Sequence, residues 1–231
     1  LAGMQAKMRQ DAEGTPALET SNSELDQNVI SYALFGQATW EATERLDLTL
    51  GLRITEEEKQ LTYIHTLTNE RTGGEGEASL TNPSGAVAFP VIQPGNQQFT
   101  TERSRDESNI SPKVSATYEW TEDVMTYVTV ARAFKSGGYN AQAFDPTRLE
   151  FEEETSTTYE TGFKSQFLSG AARFNVAAFL TDFEDLQVTA FDGVSFVVTN
   201  AATAKVQGIE FDAMLITPWH LLFSLNGTYT D

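Results

Sequence analysis

The sequence contains no cysteine and only two histidines, so it lacks the residues from which many covalent catalytic sites and metal centres are built. The absence of cysteine excludes disulfides, thiolate nucleophiles and cysteine-ligated zinc or iron–sulfur sites. His65 lies in a long polar connection and His220 begins a strand, and no Gly-x-Ser-x-Gly signature accompanies either of them. We therefore expect a protein that is not an enzyme and that holds neither a cofactor nor a metal ion.

Basic residues are also scarce, with 15 Lys and Arg against 33 Asp and Glu and a net charge of −18. A chain this acidic is poorly suited to phosphate backbones, so nucleic acid is not an expected partner. The acidic clusters at residues 56–58 and 152–154 are typical of solvated loops, and neither has the spacing of an EF-hand calcium loop.

Long hydrophobic runs are missing as well. The longest apolar run, residues 86–92, is far shorter than the about 20 residues that a membrane-spanning helix needs. This does not argue against a membrane barrel, because barrel strands alternate apolar and polar residues and give a much weaker signal. Residues 1–8 lack the apolar core of a signal peptide and do not begin with Met, so we interpret the sequence as an excerpt of a longer protein.

The clearest positive signal is strict alternation between apolar and polar residues. Leu46, Leu48, Leu50, Leu52 and Ile54 share one parity, which predicts a half-buried strand because a helix would scatter these side chains around its circumference. The same pattern predicts about eight strands in four hairpins, at residues 32–40 and 46–54, 113–120 and 124–134, 157–167 and 173–180, and 206–216 and 221–229.

The connections between these strands alternate in length. The short turns follow Trp40, Trp120, Phe167 and Ile216, and the long connections follow Ile54, Phe134 and Leu180. Aromatic side chains cluster beside the short turns, as in the girdle at a lipid interface. The sequence therefore predicts an all-β fold: a segment of an antiparallel transmembrane β-barrel with up-and-down strands, short periplasmic turns and long extracellular loops.

Five segments, in their order and spacing, resemble the β-barrel part of TonB-dependent outer-membrane receptors. They are residues 32–37 (YALFGQ), 134–140 (FKSGGYN), 159–164 (YETGFK), 179–187 (FLTDFEDLQ) and 200–210 (NAATAKVQGIE). The resemblance implies that residues 1–231 form part of one receptor barrel of 22 strands, with residues 1–27 and 56–108 as extracellular loops. The family's plug domain, its TonB box and its C-terminal strands are not found in this sequence.

The same resemblance implies a function. Receptors of this family import scarce solutes across the Gram-negative outer membrane, and a siderophore or another metal chelate is the expected ligand. The expected partners are the TonB–ExbB–ExbD complex, acting through the plug and TonB box, and the lipid and lipopolysaccharide of the outer membrane.

Candidate ligand-binding residues are those expected to face the barrel lumen or to crown the barrel. They are Arg53, Arg132, Tyr139, Tyr159, Glu160, Lys164, Glu210 and Asp212. The alternative for each is that it solvates a polar lumen or contacts the plug. Arg132 has the parity of Val128 and Val130, so it either lies at the outer rim on the lipid side or belongs to a strand whose polar face points outward.

Two other interpretations remain open from the sequence. Eight strands can close into a complete small barrel with a structural or adhesive role. A soluble, secreted β-domain would also alternate, although it has no reason to keep its long loops at one end.

Overall fold

The computed structural model describes residues 3–10, 16–69, 97–141, 143, 146–191, 196–200 and 203–231, and most of them are β strand. The strands are β1 (Gly3–Gln10), β2 (Pro16–Thr43), β3 (Leu46–Asn69), β4 (Gln97–Thr121), β5 (Val124–Lys135), β6 (Gly138–Tyr139), β7 (Glu150–Phe151), β8 (Glu154–Phe167), β9 (Ala172–Glu184), β10 (Gln187–Phe191), β11 (Phe196–Asn200), β12 (Ala204–Ile216) and β13 (Leu222–Thr230). A short 3-10 helix spans Pro146–Arg148. None of the helical structure in the described ranges is long and apolar enough to cross a membrane.

Nine strands form one antiparallel sheet in the order β1-β2-β3-β4-β5-β8-β9-β12-β13. The eight strands predicted from the alternation are all in this sheet, which confirms the predicted fold class. β1 and β13 are the two edges of the sheet, so the described strands do not close into a barrel. An eight-stranded closed barrel does not describe this arrangement, whereas an arc of a larger barrel does.

The short connections are tight turns at residues 44–45, 122–123, 168–171 and 217–221. In the third of these turns Leu168, Ser169 and Gly170 have φ values of 54°, 55° and 85°. This left-handed backbone reverses the chain within a few residues, and glycine adopts it at the lowest cost.

The ranges predicted as extracellular loops, residues 1–27 and 56–108, contain strands, which corrects their secondary structure, while their extracellular location stays a prediction. β1 and residues 16–27 of β2 occupy much of the first range, and β3 continues to Asn69 while β4 begins at Gln97. These strands pair through their backbones, but their apolar-face positions, such as Glu56, Glu58 and Gln60, carry mostly polar residues, so the alternation of Leu46 to Ile54 does not continue. Residues 70–96 lie outside the described part of the chain.

β2, β3 and β4 are therefore 28, 24 and 25 residues long. A transmembrane strand needs only about 9–11 residues, so these three strands project well beyond the length of a membrane crossing. The buried hydrophobic cluster lies at this projecting end of the sheet and consists of Leu61, Tyr63, Ala143, Leu149 and Val197. It joins β3 to the two long connections that contain β6–β7 and β10–β11.

Candidate functional site

The two faces of the main sheet differ in chemistry. One face, here called the apolar face, carries exposed large hydrophobic side chains on successive strands: Leu34, Leu50, Ile110, Val128, Ile209 and Leu225. The registers place them on one side, since Leu34 lies opposite Ile54, which lies opposite Ile110. The other face, here called the inner face, carries mostly polar residues in the alternate positions.

The lower half of the inner face, toward the short turns, holds a polar network on β5, β8, β9 and β12. The Tyr127 hydroxyl donates a 2.6 Å hydrogen bond to Glu160 Oε1, and Lys164 Nζ lies 5.2 Å from the centroid of the Tyr127 ring. Asn175 Nδ2 donates to Asp212 Oδ1 over 2.9 Å. A depression of about 470 Å³ is lined by Tyr127, Lys164, Asn175, Glu210 and Asp212.

The upper half of the inner face is covered by the connection between β5 and β8. We call the described residues of this connection, 136–141, 143 and 146–153, the docked segment. The Tyr63 hydroxyl on β3 donates a 2.8 Å hydrogen bond to the carbonyl oxygen of Ala143. Asn109 Nδ2 on β4 donates to Glu153 Oε2 over 2.6 Å. The docked segment is therefore attached to the inner face of β3 and β4 by both side-chain and backbone groups.

A buried charge network anchors the same segment. Lys59 Nζ lies 2.6 Å from Glu57 Oε1 and 3.3 Å from Glu107 Oε2, and it also donates to the carbonyl oxygen of Gly137. Arg105 Nε donates to Glu107 Oε1 over 2.6 Å, and its Nη2 pairs with Glu152. Lys59 is only 6% exposed, so its charge is compensated by neighbouring carboxylates and a carbonyl rather than by water.

The β10–β11 hairpin covers the other side of the docked segment. Asn140 Nδ2 donates to the carbonyl oxygen of Val198 over 2.9 Å, and Asn140 Oδ1 accepts from the Val198 amide over 2.8 Å. Asn200 and Gln187 both donate to the carbonyl oxygen of Glu152 over 3.0 Å. The side-chain amides of Asn140, Asn200 and Gln187 thus join the two connections by hydrogen bonds to backbone groups.

The environment of the docked segment shifts the pKa of several groups, among them Glu57 and Tyr139. Burial alone would raise the pKa of Glu57, but hydrogen bonds from Lys59, Ser136 and Ser31 and the charge of Lys59 outweigh it and hold the pKa below its ordinary value. Burial raises the pKa of Tyr139, and the negative charge of Glu150 adds to this effect. The Tyr139 hydroxyl is buried and has no hydrogen-bond partner among the described residues.

The structure separates the candidate residues into three groups. Arg53, Glu160, Lys164, Glu210 and Asp212 lie on the inner face, and Tyr139 lies in the docked segment. Arg132 and Tyr159 lie on the apolar face, because Val130 is opposite Tyr159 and Arg132 is opposite Thr157. Neither of these two residues therefore shares the inner face or contacts the docked segment from it. Of Tyr159 and its neighbour Glu160, only Glu160 lies on the inner face.

Several residues of the site were not among the candidates, chiefly Lys59, Arg105, Glu107, Asn140 and Asn200. Most of their partners lie 30 to 78 residues away along the chain, which no local pattern reveals. A local pattern that points to part of this network is the parity of residues along β3 within the 56–58 cluster. Glu57 shares the inner face with Lys59, whereas Glu56 and Glu58 point to the opposite side.

Both acidic clusters contribute hydrogen bonds to the fold, although Glu56, Glu58 and Glu152 are exposed to solvent. Glu57 accepts from Lys59, and Glu56 Oε1 accepts from the Ser108 hydroxyl over 2.7 Å. Glu153 accepts from Asn109, and Glu154 Oε2 accepts from the Gln187 amide over 2.8 Å. Within the described ranges, no group of three or more His, Cys, Asp or Glu is arranged to hold a metal ion.

A family model described as TonB dependent receptor-like, beta-barrel, matches residues 5–231. The chain belongs to this family. The pesticin receptor of Yersinia pestis is 23% identical over 185 residues, which cover 78% of this chain and 23% of that protein. The chain thus spans about a quarter of the length of the curated relatives it matches.

Solved structures show the same fold. The ferric yersiniabactin uptake receptor FyuA of Yersinia pestis superposes with a TM-score of 0.65 at 19% identity, over 98% of this chain and 30% of that one. The siderophore receptor PiuA of Acinetobacter baumannii gives a TM-score of 0.60 at 18% identity, over 94% of this chain and 26% of that one. The nine-stranded sheet is therefore an arc of a TonB-dependent receptor barrel.

Proposed function

We propose that this chain is part of an outer-membrane receptor that binds a siderophore or another metal chelate and imports it with energy from the TonB–ExbB–ExbD complex. The observation that carries the proposal is the docked segment, which lines the inner face of β3 and β4 above the membrane-crossing part of a receptor barrel. The similarity to FyuA, named as a ferric yersiniabactin uptake receptor, and to PiuA, named as a siderophore receptor, supports the choice of ligand class.

The apolar face supports a location in the outer-membrane bilayer, with lipopolysaccharide around its outer rim. Its aromatic residues near the short turns are exposed, including Trp40 at 66% and Trp120 at 56%. At the other end a polar row begins, in which Arg132 is opposite Thr157, Thr157 is opposite Asp182, and Lys205 pairs with Asp182 over 3.1 Å. A lipid-facing Arg costs about 0–1 kcal/mol near the interface, against about 2–4 at the midplane.

The docked segment and the β10–β11 hairpin would supply part of the ligand-docking surface, and the strands would hold them in place. Arg53 and Tyr139 lie nearest this surface, whereas Glu160, Lys164, Glu210 and Asp212 lie deeper, where a plug or a passing ligand would meet them. The work of such a receptor is conformational, so no covalent chemistry is assigned to this chain.

The test is uptake of radiolabelled iron by the source bacterium, with and without the gene, under iron limitation. A panel of ferric chelates is supplied, and deletion is expected to abolish uptake of at least one of them. The full-length gene should restore that uptake, and a protonophore should stop it. Equal uptake of every chelate by the deletion strain, or uptake that continues without the proton gradient, would contradict the proposal.

A further inference from the structure

Among the inner-face cations that form no ion pair with a described residue, two lie on the adjacent strands β3 and β4, in a chain that has more than twice as many acids as bases. They are Arg53 on β3 and Lys113 on β4. Within the described residues neither forms an ion pair, and the one hydrogen bond found is from Arg53 Nε to Thr55 Oγ1 over 3.2 Å. Lys59 and Arg105 lie on the same face nearer the projecting end of the sheet, and both form ion pairs with carboxylates.

The registers place these two cations in a compact grid on three adjacent strands. Phe35, Arg53 and Ser111 form the upper row, and Gln37, Gly51 and Lys113 form the lower row. All six side-chain positions share the inner face, so the grid combines guanidinium, ammonium, hydroxyl and amide donors with an aromatic ring that is 75% exposed. No carboxylate belongs to the grid.

Gly51 makes the centre of the grid a shallow depression. A Cβ at this position would lie 3.5 Å from Lys113 Cβ and 3.8 Å from Gln37 Oε1, so the space above the glycine is bordered by these two side chains. Directly above the grid, Thr55 and Asn109 are opposite one another and are buried beneath Glu153 of the docked segment. The depression therefore lies immediately below the docked segment and opens toward the lumen.

We propose that this grid binds the negatively charged oxygens of the solute, so that the receptor selects anionic, oxygen-rich metal chelates over uncharged ones. The inference rests on the proposed function and narrows its ligand class. Arg53 is held at Nε by Thr55, which leaves its two terminal nitrogens available for an oxyanion. Lys113 supplies a second charge diagonally across Gly51, and Phe35 offers an apolar surface for the organic part of the chelate.

The experiment measures binding to the purified full-length receptor by quenching of tryptophan fluorescence. The probes are two ferric complexes: the trianionic complex with three catecholates and the uncharged complex with three hydroxamates. We expect the wild type to bind the trianionic complex more tightly. R53Q and K113Q should each weaken that binding about tenfold or more, because one charge-assisted hydrogen bond is lost in each, and neither should alter binding of the uncharged complex.

The matched control is R132Q, which removes one positive charge from the apolar face. Arg132 follows Ala131, the residue of β5 that lies opposite Lys113. R132Q should change neither affinity. Equal binding of both complexes by the wild type, or binding of neither, would overturn the inference. The inference would also be overturned if the R53Q/K113Q double variant still preferred the trianionic complex but melted at a lower temperature. Arg53 and Lys113 would then stabilise the receptor by pairing with a carboxylate elsewhere in it. The uptake assay tests the proposed function and the binding assay tests the preference for anionic chelates, so either of these two proposals can fail without the other.

Discussion

The hydroxyl of Tyr63 on β3 and the carbonyl oxygen of Ala143 in the docked segment are joined by a 2.8 Å hydrogen bond between residues 80 positions apart in the chain. Both residues are only 1% exposed, and they belong to the cluster that includes Leu149 and Val197. A buried hydrogen bond within an apolar cluster fixes the segment in one position, because its loss leaves a carbonyl without a partner away from water.

Replacing Tyr63 by Phe tests this attachment. The ring and its packing are retained, while the hydrogen bond is lost and the Ala143 carbonyl loses this donor. We expect a local destabilisation of about 1–3 kcal/mol, measured as faster amide hydrogen exchange across residues 136–153 of the full-length receptor. Tyr159→Phe on the apolar face is the matched control and should leave exchange in this segment unchanged. Equal exchange in Y63F and the wild type would show that other contacts hold the segment.

Much of the sheet could be predicted from the sequence because one of its faces is apolar. Leu46 to Ile54 alternate perfectly, and that run forms the part of β3 with large hydrophobic side chains on one side. Beyond Ile54 the apolar-face positions are filled by polar residues such as Glu56 and Glu58, and the alternation disappears although the strand continues to Asn69. Backbone pairing with β2 and β4 extends the strand there, and this pairing leaves no signature in local hydropathy.

The site could be predicted only in part. Residues on predicted strands, such as Arg53, Glu210 and Asp212, could be assigned to a face by parity. The contacts of the docked segment could not, since they depend on how a connection folds back over a distant pair of strands. Tyr159 and Glu160 show the limit of the pattern: they are adjacent in sequence, and only the registers with β5 and β9 decide which of them faces inward.

Replacing Lys59 by Met tests the buried charge network. The variant leaves Glu57 and Glu107 without their shared cation, and removing one member of a buried ion pair costs about 3–5 kcal/mol. We expect the docked segment to detach, so that limited proteolysis of the full-length receptor cleaves it faster. The double variant K59M/E57Q should regain part of the protection, because Glu57, unlike Glu107, has no second ion-pair partner among the described residues.

Lys205→Met is the control for this experiment. Lys205 also pairs with a carboxylate, but the side chains of Lys205 and Asp182 are 61% and 40% exposed. An ion pair of this kind contributes about 0–1 kcal/mol, so we expect no change in cleavage of the docked segment. Similar cleavage of K59M and K205M would contradict the idea that the buried network holds the segment.

Attachment of the docked segment should depend on pH through Glu57. Its pKa in the folded protein lies below the ordinary value of 4.5, so the ionised form is favoured by folding. The resulting stabilisation is complete above the unfolded-state pKa and is lost as the pH falls through the lower, folded-state pKa. Hydrogen exchange in the segment should accelerate beyond its intrinsic pH dependence as the pH is lowered from 5 toward about 3. In Glu57→Gln this additional acceleration should be smaller, and an unchanged profile would assign the effect to other carboxylates.

Gly162 on β8 provides the sharpest test of packing on the inner face. A Cβ at this position would lie 2.3 Å from Cε1 of Tyr127, whose ring lies across the glycine and whose hydroxyl donates to Glu160. Gly162→Ala must therefore displace the ring and disturb that hydrogen bond, and we expect a loss of about 1–3 kcal/mol in the free energy of unfolding. Gly36→Ala is the matched control, because nothing lies within 4 Å of its Cβ position, and its stability should be unchanged or raised by up to about 1 kcal/mol. Urea unfolding of the two full-length variants in detergent compares them directly. Equal stabilities of the two variants would mean that the position of the Tyr127 ring does not require a glycine at position 162.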